Sequence, residues 1–292
     1  AAEWIGPSQL AELARMFGFG TVSGLELNSE VAGTVPDPAW KERVIGERWF
    51  LGNTYHFGIG QGNVLVTPLQ VAQMTQAMAN HGALCRPHVL NTSSENATVS
   101  QVTPDCTELG IAEEHLELVV KGMLDACSPG GTGFPFFEHN NAIRSQLDQA
   151  TAYREIEAGA VACKTGTAEF GAVDSEGYKS THAWFTSLFS VPDFENIEID
   201  FSREEQIASD EAIPASESNQ YGTVNRLEWL GKVLENKSYP KNIVILVLVE
   251  SNEGSPYKEG SSDGGPVAKR IFDFIYGNTP TEISPTPEAL VE

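Results

Sequence analysis

The residues best suited to chemistry lie in one short run, Cys163-Lys164-Thr165-Gly166-Thr167-Ala168-Glu169. The lysine offers a cation and the threonines offer hydroxyls. The glycine between them lets another backbone come close. Such a set suits holding an anionic group and stabilising charge that develops on an oxygen, which is what acyl transfer to a hydroxyl nucleophile demands. Lys-Thr-Gly also turns up in ordinary surface turns, so the tripeptide alone is a weak signal. A solvated strand-end lysine beside two strand-forming threonines is the plain alternative.

The elements that must carry this run follow from periodicity and punctuation. The stretch 158–169 reads as a strand, followed by strands at 182–190 and 242–250. The last is almost continuously apolar, as a strand covered on both faces should be. Leu10, Leu13, Ala14 and Phe17 share one face of a helix over 7–17, with Pro7 at its start. Thr67 is a helix N-cap, Pro68 sits at the first helical position, and Gln70 completes a capping box for a helix to about Asn80. Leu116, Val119, Val120, Met123 and Leu124 stripe a helix over 111–126, ended by Gly130-Gly131-Thr132-Gly133. A closing helix spans 265–276. Residues 21–57 and 91–104 read as loops, and 134–157 carry no clear pattern. Gly58-x-Gly60-x-Gly62 lacks the spacing and the preceding strand of a phosphate loop.

Composition excludes some functions. Forty Asp and Glu stand against 18 Lys and Arg, a net charge of -22 in 292 residues, with the cations scattered along the chain. Phosphate binding needs clustered cations, so nucleic acid is excluded as a partner, and the acidity reads as solubility or adaptation to salt. The longest apolar run, Ile243 to Val249, is strand length, too short to cross a membrane. Ala1-Ala2-Glu3-Trp4 lacks the basic and apolar regions of a signal peptide. The four cysteines form no CxxC and no cluster with histidine, so no metal site is expected. Cys106 and Cys127 flank one predicted helix and could bridge in an oxidising compartment; two buried thiols are the equal alternative.

Several stretches, taken in order, carry a resemblance. They are Phe17-Gly18-Phe19-Gly20, Gly24-Leu25-Glu26-Leu27, Glu30-x-x-Gly33, Ile59-Gly60-Gln61-Gly62, and Thr67-Pro68-Leu69-Gln70. Ala79-Asn80-x-Gly82, Arg86-Pro87-His88, Gly122-Met123, Gly131-Thr132, Lys164 to Glu169, and His182-Ala183-Trp184-Phe185 continue it. Together these resemble the transpeptidase domain of class B penicillin-binding proteins, the elongation-type members most of all, over residues 1–278 apart from an acidic insertion at about 193–237. Residues 224–235 within that insertion read as a short helix, and the tail 279–292 as disordered.

The resemblance implies an α+β fold of the penicillin-binding and serine β-lactamase kind, a five-stranded antiparallel sheet flanked by helices. It implies acyl transfer from a D-Ala-D-Ala stem peptide to serine and then to a neighbouring amine, β-lactams acylating the same serine. Lys164 would help hold the donor carboxylate, Thr165 and Thr167 would hydrogen-bond it, and the Thr167 N–H would form half of an oxyanion hole. The strand edge from Gly166 to Glu169 would pair with the extended substrate. No cofactor is implied. The implied partners are stem peptides, β-lactams and, for a full-length protein, a glycosyltransferase; the implied location is the extracytoplasmic face of the membrane.

The family pattern also requires Ser-x-x-Lys and Ser-x-Asn before Lys-Thr-Gly. Ser238-Tyr239-Pro240-Lys241 and Ser255-Pro256-Tyr257-Lys258 match the first only after it. Ser94-Glu95-Asn96 matches the second in a polar loop. All three read as coincidences. The expectation is therefore an N-terminally truncated domain, inactive alone. A sensor or scaffold module, or one half of a split enzyme, are the other readings. Gln61, Thr132, Glu169 and Trp184 read as structural, and His182 as a hydrogen-bonded residue at a strand start.

Overall fold

The computed structural model describes residues 2–89, 105–145, 147, 150–190 and 242–275. The acidic insertion, the 224–235 helix, the 279–292 tail, Ser94-Glu95-Asn96 and Ser238 to Lys241 lie outside them.

The chain opens with helices α1 (Ala2–Ile5) and α2 (Pro7–Met16). Of the expected face, Phe17 is buried and Leu10 and Ala14 are half-buried, but Leu13 is exposed and Ala11 is buried in its stead. Residues 21–57 hold two helices, α3 (Pro38–Ile45) and α4 (Leu51–Gly58), where loop was expected. The α3 signals were present: the Asp37 carboxylate accepts the Trp40 N–H at 2.7 Å, Pro38 takes the first position, and Gly46 ends the helix in the left-handed conformation.

Helix α5 (Pro68–Ala79) begins on the expected capping box. Its Gln70 does more than cap. The buried amide receives the Thr67 N–H at 2.9 Å and donates to the carbonyls of Thr21 and Ala32 at 2.8 and 2.9 Å, tying the 21–33 loop to the helix. A two-stranded ribbon follows, β1 (Ala83–Cys85) and β2 (Cys106–Glu108), then α6 (Glu113–Ala126). Leu116, Val120 and Leu124 of α6 are buried as its stripe required, and Val119 is exposed. A 3₁₀ turn (Phe134–Phe136) and helices α7 (Phe137–Arg144) and α8 (Ala152–Glu157) fill the stretch that had no clear pattern.

The main sheet has strand order β3 (Ala162–Phe170), β4 (Ser180–Ser190), β5 (Asn242–Val249), all antiparallel. Among the described residues it has three strands where the family resemblance implied five. Helices cover both faces, as implied. On one face Phe185, Phe189, Ile245 and Val247 pack with Phe136 and with Ala268 and Phe272 of α9 (Gly265–Ile275). On the other, Ala162 and Leu188 pack with Leu116, Val120 and Leu124 of α6 and Ile156 of α8. Thr75 of α5 and Thr186 of β4 meet there through a buried hydroxyl pair at 2.8 Å.

Candidate active site: the outer edge of β3

β3 ends the strand order, so among the described residues no strand covers its outer edge. Burial changes sharply along it. Ala162 and Cys163 are fully buried, while Lys164 and Thr167 are exposed. The strand is anchored at its root and open where the Lys-Thr-Gly run begins.

The root is held twice. Asn140 of α7, fully buried, receives the Val161 N–H at 2.8 Å and donates to the Val161 carbonyl at 2.7 Å. Cys163 is joined to Cys127, at the end of α6, by a buried disulfide spanning 5.6 Å between α-carbons. This corrects the expected Cys106–Cys127 bridge. Cys106 instead pairs with Cys85, directly opposite it in the β1–β2 register. Strand pairing and helix packing decide the partners, and neither is visible in cysteine spacing.

The Cys127–Cys163 bond also shapes the turn after α6. A Cβ at Gly133 would fall 2.5 and 2.6 Å from the two sulfurs, so only glycine passes there. The turn presents Thr132, whose hydroxyl lies 2.8 Å from that of Thr165. Thr132, read as a turn residue, is thus also a neighbour of the motif. On the α9 side, the π-helical turn Gly260–Gly264 presses on the strand. A Cβ at Gly260 would come within 2.7 Å of the Gly166 nitrogen and carbonyl oxygen.

The backbone carbonyls of Thr165 and Thr167 face the open edge. The Lys164 ammonium is hydrogen-bonded to the Thr165 carbonyl at 2.6 Å, with no ion-pair partner among the described residues. The Thr167 carbonyl accepts the side-chain amide of Gln61 at 3.3 Å, from outside the sheet. In an antiparallel ladder a residue's N–H and C=O lie on the same side, so the Thr167 N–H also points to the open edge. One short stretch therefore offers a cation, a hydroxyl and an outward N–H and C=O pair. That can bind an extended peptide as an added strand, hold a carboxylate and donate to an oxyanion.

The His182 Nδ1 accepts the Ser251 N–H at 3.1 Å, and its ring stacks on Phe170 at 4.0 Å, a structural role as read from the sequence. Glu169 lies 3.9 Å from Lys179. Trp184 is half-buried beside Gly166. Ser255 sits in a turn bridged to Asn252, and Lys258 pairs with Asp263 at 3.3 Å. That Ser-x-x-Lys match therefore has no helix to align its hydroxyl and amine. Among the described residues, no serine hydroxyl is hydrogen-bonded to Lys164, Thr165 or Thr167. No group of three or more His, Cys, Asp or Glu there is arranged to hold a metal, and no helix is long and apolar enough to cross a membrane.

An open-edged Lys-Thr-Gly strand backed by a C-terminal helix, with helices on the opposite face, defines a class. The chain belongs to the family of penicillin binding protein transpeptidase domains, whose family model matches residues 1–195. It is similar to the peptidoglycan D,D-transpeptidase MrdA of Salmonella typhimurium, with 33% identity over 161 residues, covering 53% of this chain and 26% of that protein. The chain thus matches about a quarter of that relative's length. Its fold is similar to that of Pseudomonas aeruginosa PBP2 in complex with WCK 5153, with TM-score 0.56 and 24% identity, covering 93% of this chain and 43% of that one. The PBP2 of the Helicobacter pylori complex with MreC gives TM-score 0.54 at 24% identity, covering 94% of this chain and 37% of that one.

Proposed function

We propose that this chain supplies the Lys-Thr-Gly wall of a peptidoglycan D,D-transpeptidase cleft. The carrying observation is the outer edge of β3, where Lys164 is exposed and the Thr167 carbonyl is directed away from the sheet. In the reaction a serine hydroxyl attacks the carbonyl of the penultimate D-Ala, the bond to the terminal D-Ala breaks, and that residue leaves with the proton on its amine. An amine of a neighbouring stem then takes the acyl group and the serine regains its proton. Lys164 and Thr165 hold the terminal carboxylate, and the Thr167 N–H donates to the oxyanion while the backbone of Gly166 to Glu169 aligns the donor peptide.

The acylated serine is not among these 292 residues, since none stands in the Ser-x-x-Lys order that the family pattern requires. The chain alone is therefore inactive, and β-lactams do not acylate it. Stem peptides are the substrate class, and a glycosyltransferase is the partner of the complete protein. The two disulfides suit an oxidising, extracytoplasmic compartment.

A fluorescent penicillin tests this. Incubated with the chain alone it leaves no covalent label. Mixed with a separately made MrdA segment carrying Ser-x-x-Lys and Ser-x-Asn, the chain restores labelling of that segment, and Lys164→Ala abolishes the gain. A stable adduct on any serine of this chain, or no restoration by a folded partner segment, overturns the assignment.

A further inference from the structure

Gln61 sits in the turn between α4 and α5, more than a hundred residues before β3. Its backbone is fixed: the Gln61 N–H donates to the His56 carbonyl at 2.8 Å and the Gly60 N–H to that of Phe57 at 2.9 Å. Gly60 and Gly62, on either side, hold φ of 72° and 82°, which turn the chain so that the side chain between them projects. That side chain has one hydrogen-bond partner among the described residues, the Thr167 carbonyl at 3.3 Å.

The bond occupies a particular place. An antiparallel strand added to the edge of β3 would bring a backbone N–H to the same oxygen from the same side. The Gln61 amide is the same kind of donor, already seated. Both bonds are solvent-exposed, so neither has a large free-energy advantage and one can replace the other.

We propose that Gln61 gates the β3 edge, sealing the Thr167 carbonyl in the free protein and giving way to the backbone N–H of an incoming acyl-D-Ala-D-Ala peptide. This rests on the reading of β3 as the donor-binding edge and adds a specificity element to it. A ligand with no N–H to offer Thr167 leaves the gate shut, and one that has it must displace Gln61.

The experiment uses the whole chain, isotope-labelled, with diacetyl-L-Lys-D-Ala-D-Ala as the probe and a matched set in which each amide in turn is an ester. Without ligand, Gln61→Ala shifts the Thr167 carbonyl carbon resonance. With the peptide, Gln61→Ala binds roughly two- to tenfold tighter, the range expected for one competing exposed hydrogen bond. Gln61→Asn, a methylene too short, behaves the same way. The gain disappears for the one ester that lacks the N–H facing Thr167, a difference that mere loop loosening would not produce. Unchanged or weaker peptide binding in both variants, or the same gain for every ester, overturns the gate and leaves the β3 reading standing. If the peptide moves no resonance between Lys164 and Glu169 in any variant, the β3 reading fails and the gate falls with it. The ligand-free carbonyl shift reports separately whether the contact itself exists.

Discussion

Cys127 closes α6 and is bonded to Cys163, the residue immediately before Lys164 in β3. The cross-link fixes the start of the motif strand to the turn that carries Thr132, so the neighbouring threonines 132 and 165 are held by covalent chemistry as well as by packing. It closes a loop of sequence separation 36. Replacing both cysteines by alanine is expected to lower stability by about 2–4 kcal/mol. Amide hydrogen exchange at Thr165 to Thr167 should quicken along with it. Unchanged melting and exchange would show that packing alone holds the strand.

Asn140 offers a sharper test of the root of β3. Both of its amide atoms are spent on Val161, inside a region without access to water. Asn140→Ala leaves a buried N–H and a buried C=O without partners, at about 1–3 kcal/mol each. A loss of about 2–6 kcal/mol in a urea titration is expected. Asn140→Asp should be at least as harmful, because its carboxylate would face the Val161 carbonyl.

Gly260→Ala probes the opposite side of the strand. The methyl group would run into the backbone of Gly166 and Trp184, which cannot turn aside as a side chain can. Overpacking of this kind costs about 1–3 kcal/mol. The chemical shifts of Gly166 and Thr167 should move, although position 260 is remote in sequence. A neutral substitution with unmoved shifts would mean that the turn is loosely seated.

The Glu26 carboxylate is hydrogen-bonded by His88 at 2.6 Å and by the Val89 N–H at 3.2 Å. The His88 bond is the largest influence, followed by the backbone N–H groups of Glu26 itself and of Val89, and together these hold the Glu26 pKa at about 2 against an ordinary 4.5. The folded pKa lies below the unfolded one, so between those values the unfolded chain binds more protons and acid favours it. The stability difference between the native chain and Glu26→Gln should be fully present above pH 4.5 and close as pH falls to about 2. A difference that is flat through that window would remove the proposed link. Carboxyl-carbon NMR titration of Glu26 gives the pKa directly.

Local signals were legible wherever chemistry and neighbours in sequence coincide. The Thr67 to Gln70 cap, the buried face of α6 and the β3 motif all express short-range rules. Helix α3 is also legible through Asp37, Pro38 and Gly46, but proline and glycine in a punctuated stretch signal loop as readily as they signal helix ends. What stayed hidden is pairing across distance. Cys127 finds Cys163, Asn140 finds Val161 and Gln61 finds Thr167 only after α6, α7 and the α4–α5 turn have packed around one strand. Gln61 carried one hint, the glycines flanking it, which imply a projecting side chain without naming its target.

The strand at the other end of the sheet has a practical bearing. β5 is built from Asn-Ile-Val-Ile-Leu-Val-Leu-Val, α5 and α9 lie against its faces, and only Ile245 and Val247 are buried. Among the described residues no strand lies along its outer side. A greasy, proline-free border of that length is a template on which a second molecule can crystallise its own backbone. Turbidity should therefore climb steeply with protein concentration.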